Sequence, residues 1–166
     1  MGPVDQEILG DISRGLEIIF HFKTGITEEI TVPQESYNAR RKQHYSSLIL
    51  ERIKAIKPGD IDYALGVTDV DLYAPELNFV FGEADFSSQT AVISLKRLRQ
   101  EFYGLHPDKE IFRERAVKEA VHELGHTLGL GHCKNLKCIM FFSNNVLHTD
   151  AKGPGFCDIC RSKISF

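Results

Sequence analysis

"HELGHTLGLGHC", residues 122–133, places three histidines, a glutamate and a cysteine in one short stretch, and its reading decides the fold. His122 and His126 stand four apart, the spacing that stacks side chains on one helix face about 5–6 Å apart at Cβ. Two imidazoles so placed can grip one metal ion. Continued helix would carry His132 about 9 Å farther along the axis, so the helix must stop for His132 to join them. Gly129 permits the stop, because glycine takes the left-handed conformation that closes a helix end. Three neutral nitrogens with an open position describe a catalytic zinc site rather than a structural one. Glu123, beside the first histidine, is then the candidate general base that takes a proton from water attacking a carbonyl.

Upstream, the pattern from Asp108 to Leu130 predicts a helix with Val117, Val121, Leu124 and Leu128 on one stripe and the charges of "RERAVKEA" on the other side. Before it, "LNFVFGEADF" (77–86) and "TAVISL" (90–95) read as two strands of a hairpin. "IDYALGVTDVDLY" (61–73) supplies one or two more short strands. Residues 38–56 predict a long amphipathic helix whose start, "NARRKQH" (38–44), is solvated, and "KPGD" ends it. "LEIIFHF" (16–22) reads as a strand after a short helix over 4–13. Either strand of this hairpin can offer an edge to which an extended peptide adds, and residues 79–84 are preferred. Glu83 and Asp85 are candidates to hold a substrate's amino terminus.

Downstream, all four cysteines, Cys133, Cys138, Cys157 and Cys160, fall within the last part of the chain. They form two close pairs, which can supply four thiolates to a tetrahedral ion at about 2.3 Å. Two disulfides are the other use of four cysteines, but a reducing compartment favours metal. The intervening "FFSNNVLHTDAKGPGF" (141–156) mixes Asn, Gly and Pro with few periodic apolar residues, so the tail builds little core and needs a staple. His21, His44, His106 and His148 show no ligand spacing with one another.

Composition narrows the classes. The chain's 166 residues, 42% of them hydrophobic, are enough for one domain over 1–166 and short for two. Residues 1–131 would form the sheet and active-site helix, and 132–166 the stapled C-terminal part. Twenty Lys and Arg against 23 Asp and Glu leave a net charge of -3, which favours neither nucleic acid nor an anionic membrane. The opening "MGPVDQEILGDISRG" has neither the basic nor the apolar region of a signal peptide, and Gln6 breaks a myristoylation pattern. The expectation is a cytoplasmic monomer acting on peptides or proteins.

"HELGHTLGLGH" matches the HExxHxxGxxH signature of the metzincin clan of zinc peptidases. With Cys133 after the third histidine, "NLKCIM" and "CDIC", the chain resembles the archaemetzincin family more narrowly. The gap from Met140 to the distal pair is a residue shorter than that family's pattern, which a loop absorbs. The resemblance implies an α+β, zincin-like fold with a twisted mixed sheet packed on helices. It implies a catalytic zinc on His122, His126 and His132, Glu123 as base, Met140 beneath the metal, and a second, structural zinc on Cys133, Cys138, Cys157 and Cys160. A metal-stabilised peptide-binding module with a vestigial site is the alternative, and Glu123, which pure metal binding does not need, speaks for the enzyme.

Overall fold

The computed structural model describes residues 4–27 and 29–164. Helix α1 (Gln6–Phe20) starts where Asp5 accepts a hydrogen bond from the Glu7 amide at 2.9 Å and closes at His21 in the left-handed conformation. The strand expected over 16–22 is therefore mostly the second half of this helix. Leu16, Ile18, Phe20 and Phe22 alternate like a strand, but Ile8, Ile12, Leu16 and Phe20 repeat every four residues and bury together, while Ile18 faces solvent. Burying four large side chains contributes several kcal/mol and outweighs a local β preference.

The long helix expected over 38–56 is also shorter. Strands β1 (Tyr37–Asn38) and β2 (Gln43–Tyr45) form an antiparallel hairpin where its solvated start was expected, and α2 (Ser46–Ile56) begins only after them. The cause is local: the Asn38 side chain accepts from the amides of Arg40 and Arg41, and Lys42 takes a positive φ, so the chain folds back instead of winding. Strands β3 (Ala64–Thr68), β4 (Leu72–Tyr73), β5 (Gly82–Asp85) and β6 (Thr90–Ser94) follow.

The expected single sheet is two small mixed ones, β1-β2-β4 and β3-β6-β5, with an antiparallel bridge from Leu72 to Val80. β5 and β6 pair antiparallel, as their hairpin pattern predicts. β6 is buried along its length and separates two cores: Ile93 packs with α1 and helix α3 (Lys109–Thr127), Val92 with α2. Because β3 and β5 flank β6, among the described residues β5 is the strand of the hairpin with an unpaired edge.

Asp108 caps α3 by accepting from the Ile111 amide. The charges of α3 do not form a solvated face: Arg115, Lys118 and Glu119 are buried by helix α4 (Val146–Ala151) and the residue after it. Arg115 donates two hydrogen bonds to Asp150, Lys118 reaches the carbonyls of Thr149 and Asp150, and Glu119 pairs with Lys152 at 3.0 Å while accepting from Thr149. The tail also enters the main core, contrary to expectation, through Cys138, Ile139, Met140, Val146, Phe156 and Cys160. Helix α5 (Asp158–Arg161) is the last helix among the described residues. Among the described residues no helix is long and apolar enough to cross a membrane.

Candidate active site

α3 carries His122, Glu123 and His126, and ends as its sequence predicts. Gly129 has φ 85°, its amide bonds the His126 carbonyl at 2.9 Å, and the Leu130 amide returns to Gly125 at 3.1 Å. That reversal brings His132 back to the helix. The three rings have centroids 4.7, 4.8 and 5.5 Å apart, and their candidate ligand atoms all lie within 4.8 Å of one another. Burial is graded, with His122 buried, His126 half-buried and His132 exposed, so the cluster opens to solvent on the His132 side.

The hydrogen bonds select the tautomer. His122 Nδ1 donates to the Ile139 carbonyl at 2.8 Å and His126 Nδ1 to the Leu130 carbonyl at 2.7 Å, because a carbonyl can only accept. Both protons are thereby committed, and the two Nε2 atoms face each other 3.2 Å apart as bare acceptors. Two lone pairs at that distance repel unless a cation lies between them. Ligands about 2.05 Å from a tetrahedral zinc would stand about 3.3 Å apart, so the donor set fits this ion. Burial, reinforced by the Lys152 cation, holds the His122 imidazole well below its usual proton affinity, and burial lowers His126 and His132 too. All three are kept in the neutral form that binds metal.

Glu123 lies buried between α3 and β5. Desolvation raises its proton affinity well above the usual carboxylate range, with the nearby Glu119 and Glu83 carboxylates adding to the rise and Lys152 opposing it. Its carboxylate is therefore a stronger proton acceptor than an exposed one. Met140 is fully buried under the same helix, and Gly125 makes the approach possible: a Cβ there would stand 2.5 Å from the Met140 sulfur. Sequence reasoning missed Gly125, Glu119 and Lys152, since only the returning tail shows what they face.

The four cysteines also converge, with sulfurs all within 4.8 Å and none in a disulfide. Cys133 and Cys157 sulfurs are 3.8 Å apart, far beyond the roughly 2.05 Å of a bond and close to the edge of about 3.8 Å for thiolates around zinc. Backbone amides support the sulfur charge: Asn135 donates to Cys133, Cys157 to Cys138, and the Cys160 amide leads in lowering the Cys157 thiol to about 7. Burial raises Cys138 and Cys160. The two clusters are joined by backbone as well as sequence, since the Cys133 amide donates to the Met140 carbonyl at 2.8 Å. Among the described residues these are the two groups of side chains able to hold a metal ion.

The remaining candidates have other partners. His148 is at the start of α4, with its ring 5.9 Å from Phe141, and is not in the histidine cluster. Both Glu83 oxygens accept from serine hydroxyls at the start of α2, Ser46 and Ser47, and Asp85 accepts from Ser87 and Ser88. Serine hydroxyls thus engage both carboxylates, and Asp85 also accepts from the Ser87 amide.

The sequence profile of peptidase family M54 matches residues 8–165. The archaemetzincin of Methanocaldococcus jannaschii is 44% identical over 99% of this chain and 89% of its own length, and that of Archaeoglobus fulgidus 43% over 93% and 89%. Crystal structures of the Methanopyrus kandleri archaemetzincin (TM-score 0.87, 37% identity, 98% of this chain and 87% of that one) and of a zinc-dependent peptidase from Methanocorpusculum labreanum (0.87, 32%, 98% and 95%) share the fold. Covered over residues 8–165 by the profile and over nearly its whole length by relatives of this similarity, the chain belongs to peptidase family M54, the archaemetzincins, and is a zinc metallopeptidase.

Proposed function

We propose that residues 1–166 act as one peptidase unit that hydrolyses peptide bonds, with His122, His126 and His132 holding a catalytic zinc and Glu123 as general base. The observation that carries this reading is the pair of proton-free Nε2 atoms facing each other 3.2 Å apart. Zinc held there supplies Lewis acidity, polarising the scissile carbonyl and lowering the proton affinity of water. The chain's own groups do the rest. The Ile139 and Leu130 carbonyls orient the imidazoles. The free edge of β5 accepts the peptide as a further strand. Glu123 takes one proton from the attacking water, and as the C–N bond breaks it passes that proton to the departing amine.

Cys133, Cys138, Cys157 and Cys160 hold a second, structural zinc in this reading. The intact chain should contain two zinc ions, and a chelator should remove the one in the open histidine site first, together with hydrolysis of a peptide library. Finding at most one zinc per chain, with all four thiols freely titratable, would sink the two-site reading.

Cys157→Ser tests how the sites are coupled. Losing one thiolate should release the second zinc and, through Cys133 and its bond to Met140, loosen His132, so hydrolysis should fall about 10-fold. Protease cuts should increase in 133–145 and 153–164, whereas 146–152 stays protected by its hydrogen bonds to α3. A variant as active and as protease-resistant as the parent would show that the cysteine cluster is no staple.

A further inference from the structure

Within the histidine site, Glu123 is held by packing rather than by a hydrogen bond. Carbonyls pin His122 and His126, whereas among the described residues no donor bonds the Glu123 carboxylate. What lies against it is bare backbone. A Cβ built on Gly82, the first residue of β5, would stand 2.6 Å from Glu123 Cγ and 2.7 Å from its Oε1. The same Cβ would meet the Val92 carbonyl at 2.6 Å. Val92 is on β6, which is buried throughout and cannot retreat. Glycine inside a strand weakens it and packs nothing, so its presence at this position marks a close approach.

We propose that Gly82 is a positioning residue for Glu123: its uncovered Cα is the seat that sets how the base carboxylate stands relative to the free edge of β5, where the peptide adds. The proposal rests on the reading of Glu123 as the base. It makes one strand serve both partners of the reaction, since the β5 backbone that receives the substrate also locates the group that activates water. A side chain at position 82 would push the carboxylate off this seat, and misplacement by about 1 Å can cost 10²-fold in rate.

The test is a cycle of Gly82→Ala, Glu123→Ala and the double variant, each a full-length chain with its metal loaded. Gly82→Ala should lower Tm by at least about 4 °C more in the parent than in the Glu123→Ala background, because the collision with Glu123 disappears there while the one with Val92 remains in both. For the single Gly82→Ala variant, kcat on a peptide should fall about 10²-fold with KM changed less than about threefold and zinc content unaltered. Equal Tm losses in the two backgrounds would assign the whole penalty to the strand and overturn the proposal, as would a parental kcat. If Gly82→Ala alone cannot fold, recovery of folding in the double variant supports the proposal and continued unfolding rejects it. Should the parent cleave no peptide, the reading of Glu123 as base fails, and the melting cycle still decides whether Gly82 seats its side chain.

Discussion

Glu123→Gln should reduce peptide hydrolysis by roughly 10²–10⁴-fold, the range for a removed general base, with folding and both zinc ions retained. The substitution keeps the side chain's shape over Gly82 and removes only its ability to take a proton. Desolvation makes the parent carboxylate costly in its charged form, so the neutral amide should leave Tm unchanged or raise it. His126→Ala differs in kind. It removes one of the two facing Nε2 atoms and should lose the open-site zinc along with activity. Steady-state kinetics, metal analysis and melting curves on the two variants separate base from ligand. If Glu123→Gln cleaves as fast as the parent, Glu123 is not the base.

Lys152→Met should destabilise the chain by about 3–5 kcal/mol, because it strands Glu119 as an unpaired charge with no access to water. For a chain of this size that is a Tm loss of roughly 10 °C or more. Replacing both partners, as Glu119→Leu with Lys152→Met, should recover most of the loss, since a buried ion pair exchanged for apolar groups is often close to neutral. A single-variant loss under about 1 kcal/mol would mean that water reaches the pair. The result bears on the site as well as on stability, because the ion pair lies one turn of α3 before His122 and fixes the tail segment that carries on from Met140.

What could be read from the sequence was what short-range spacing controls. His122 and His126 share a face because a helix repeats every 3.6 residues, Gly129 closes it because glycine tolerates positive φ, and the hairpin follows from two β-rich runs joined by a polar turn. The convergence of the three histidines and of the four cysteines was legible too, because histidine and cysteine at these intervals have few uses apart from metal. Errors arose where two local patterns competed: residues 16–20 alternate as a strand and repeat as a helix, and burial beside α3 decided for the helix. At 38–44 the Asn38 turn defeated an amphipathic reading.

The role of α3's charges was decided only by tertiary structure. Arg115, Lys118 and Glu119 have the spacing of an exposed face, and nothing near them in sequence shows that Thr149, Asp150 and Lys152 will return to bury and satisfy them. The same holds for Gly82 and Gly125, whose meaning lies in what a missing Cβ makes room for, Glu123 and the Met140 sulfur. Periodicity along a chain specifies which side chains share a surface. Which surfaces then meet, and so which atoms must be absent for a base or a methionine to fit, depends on contacts between residues distant in sequence, and those exist only once the chain has closed on itself.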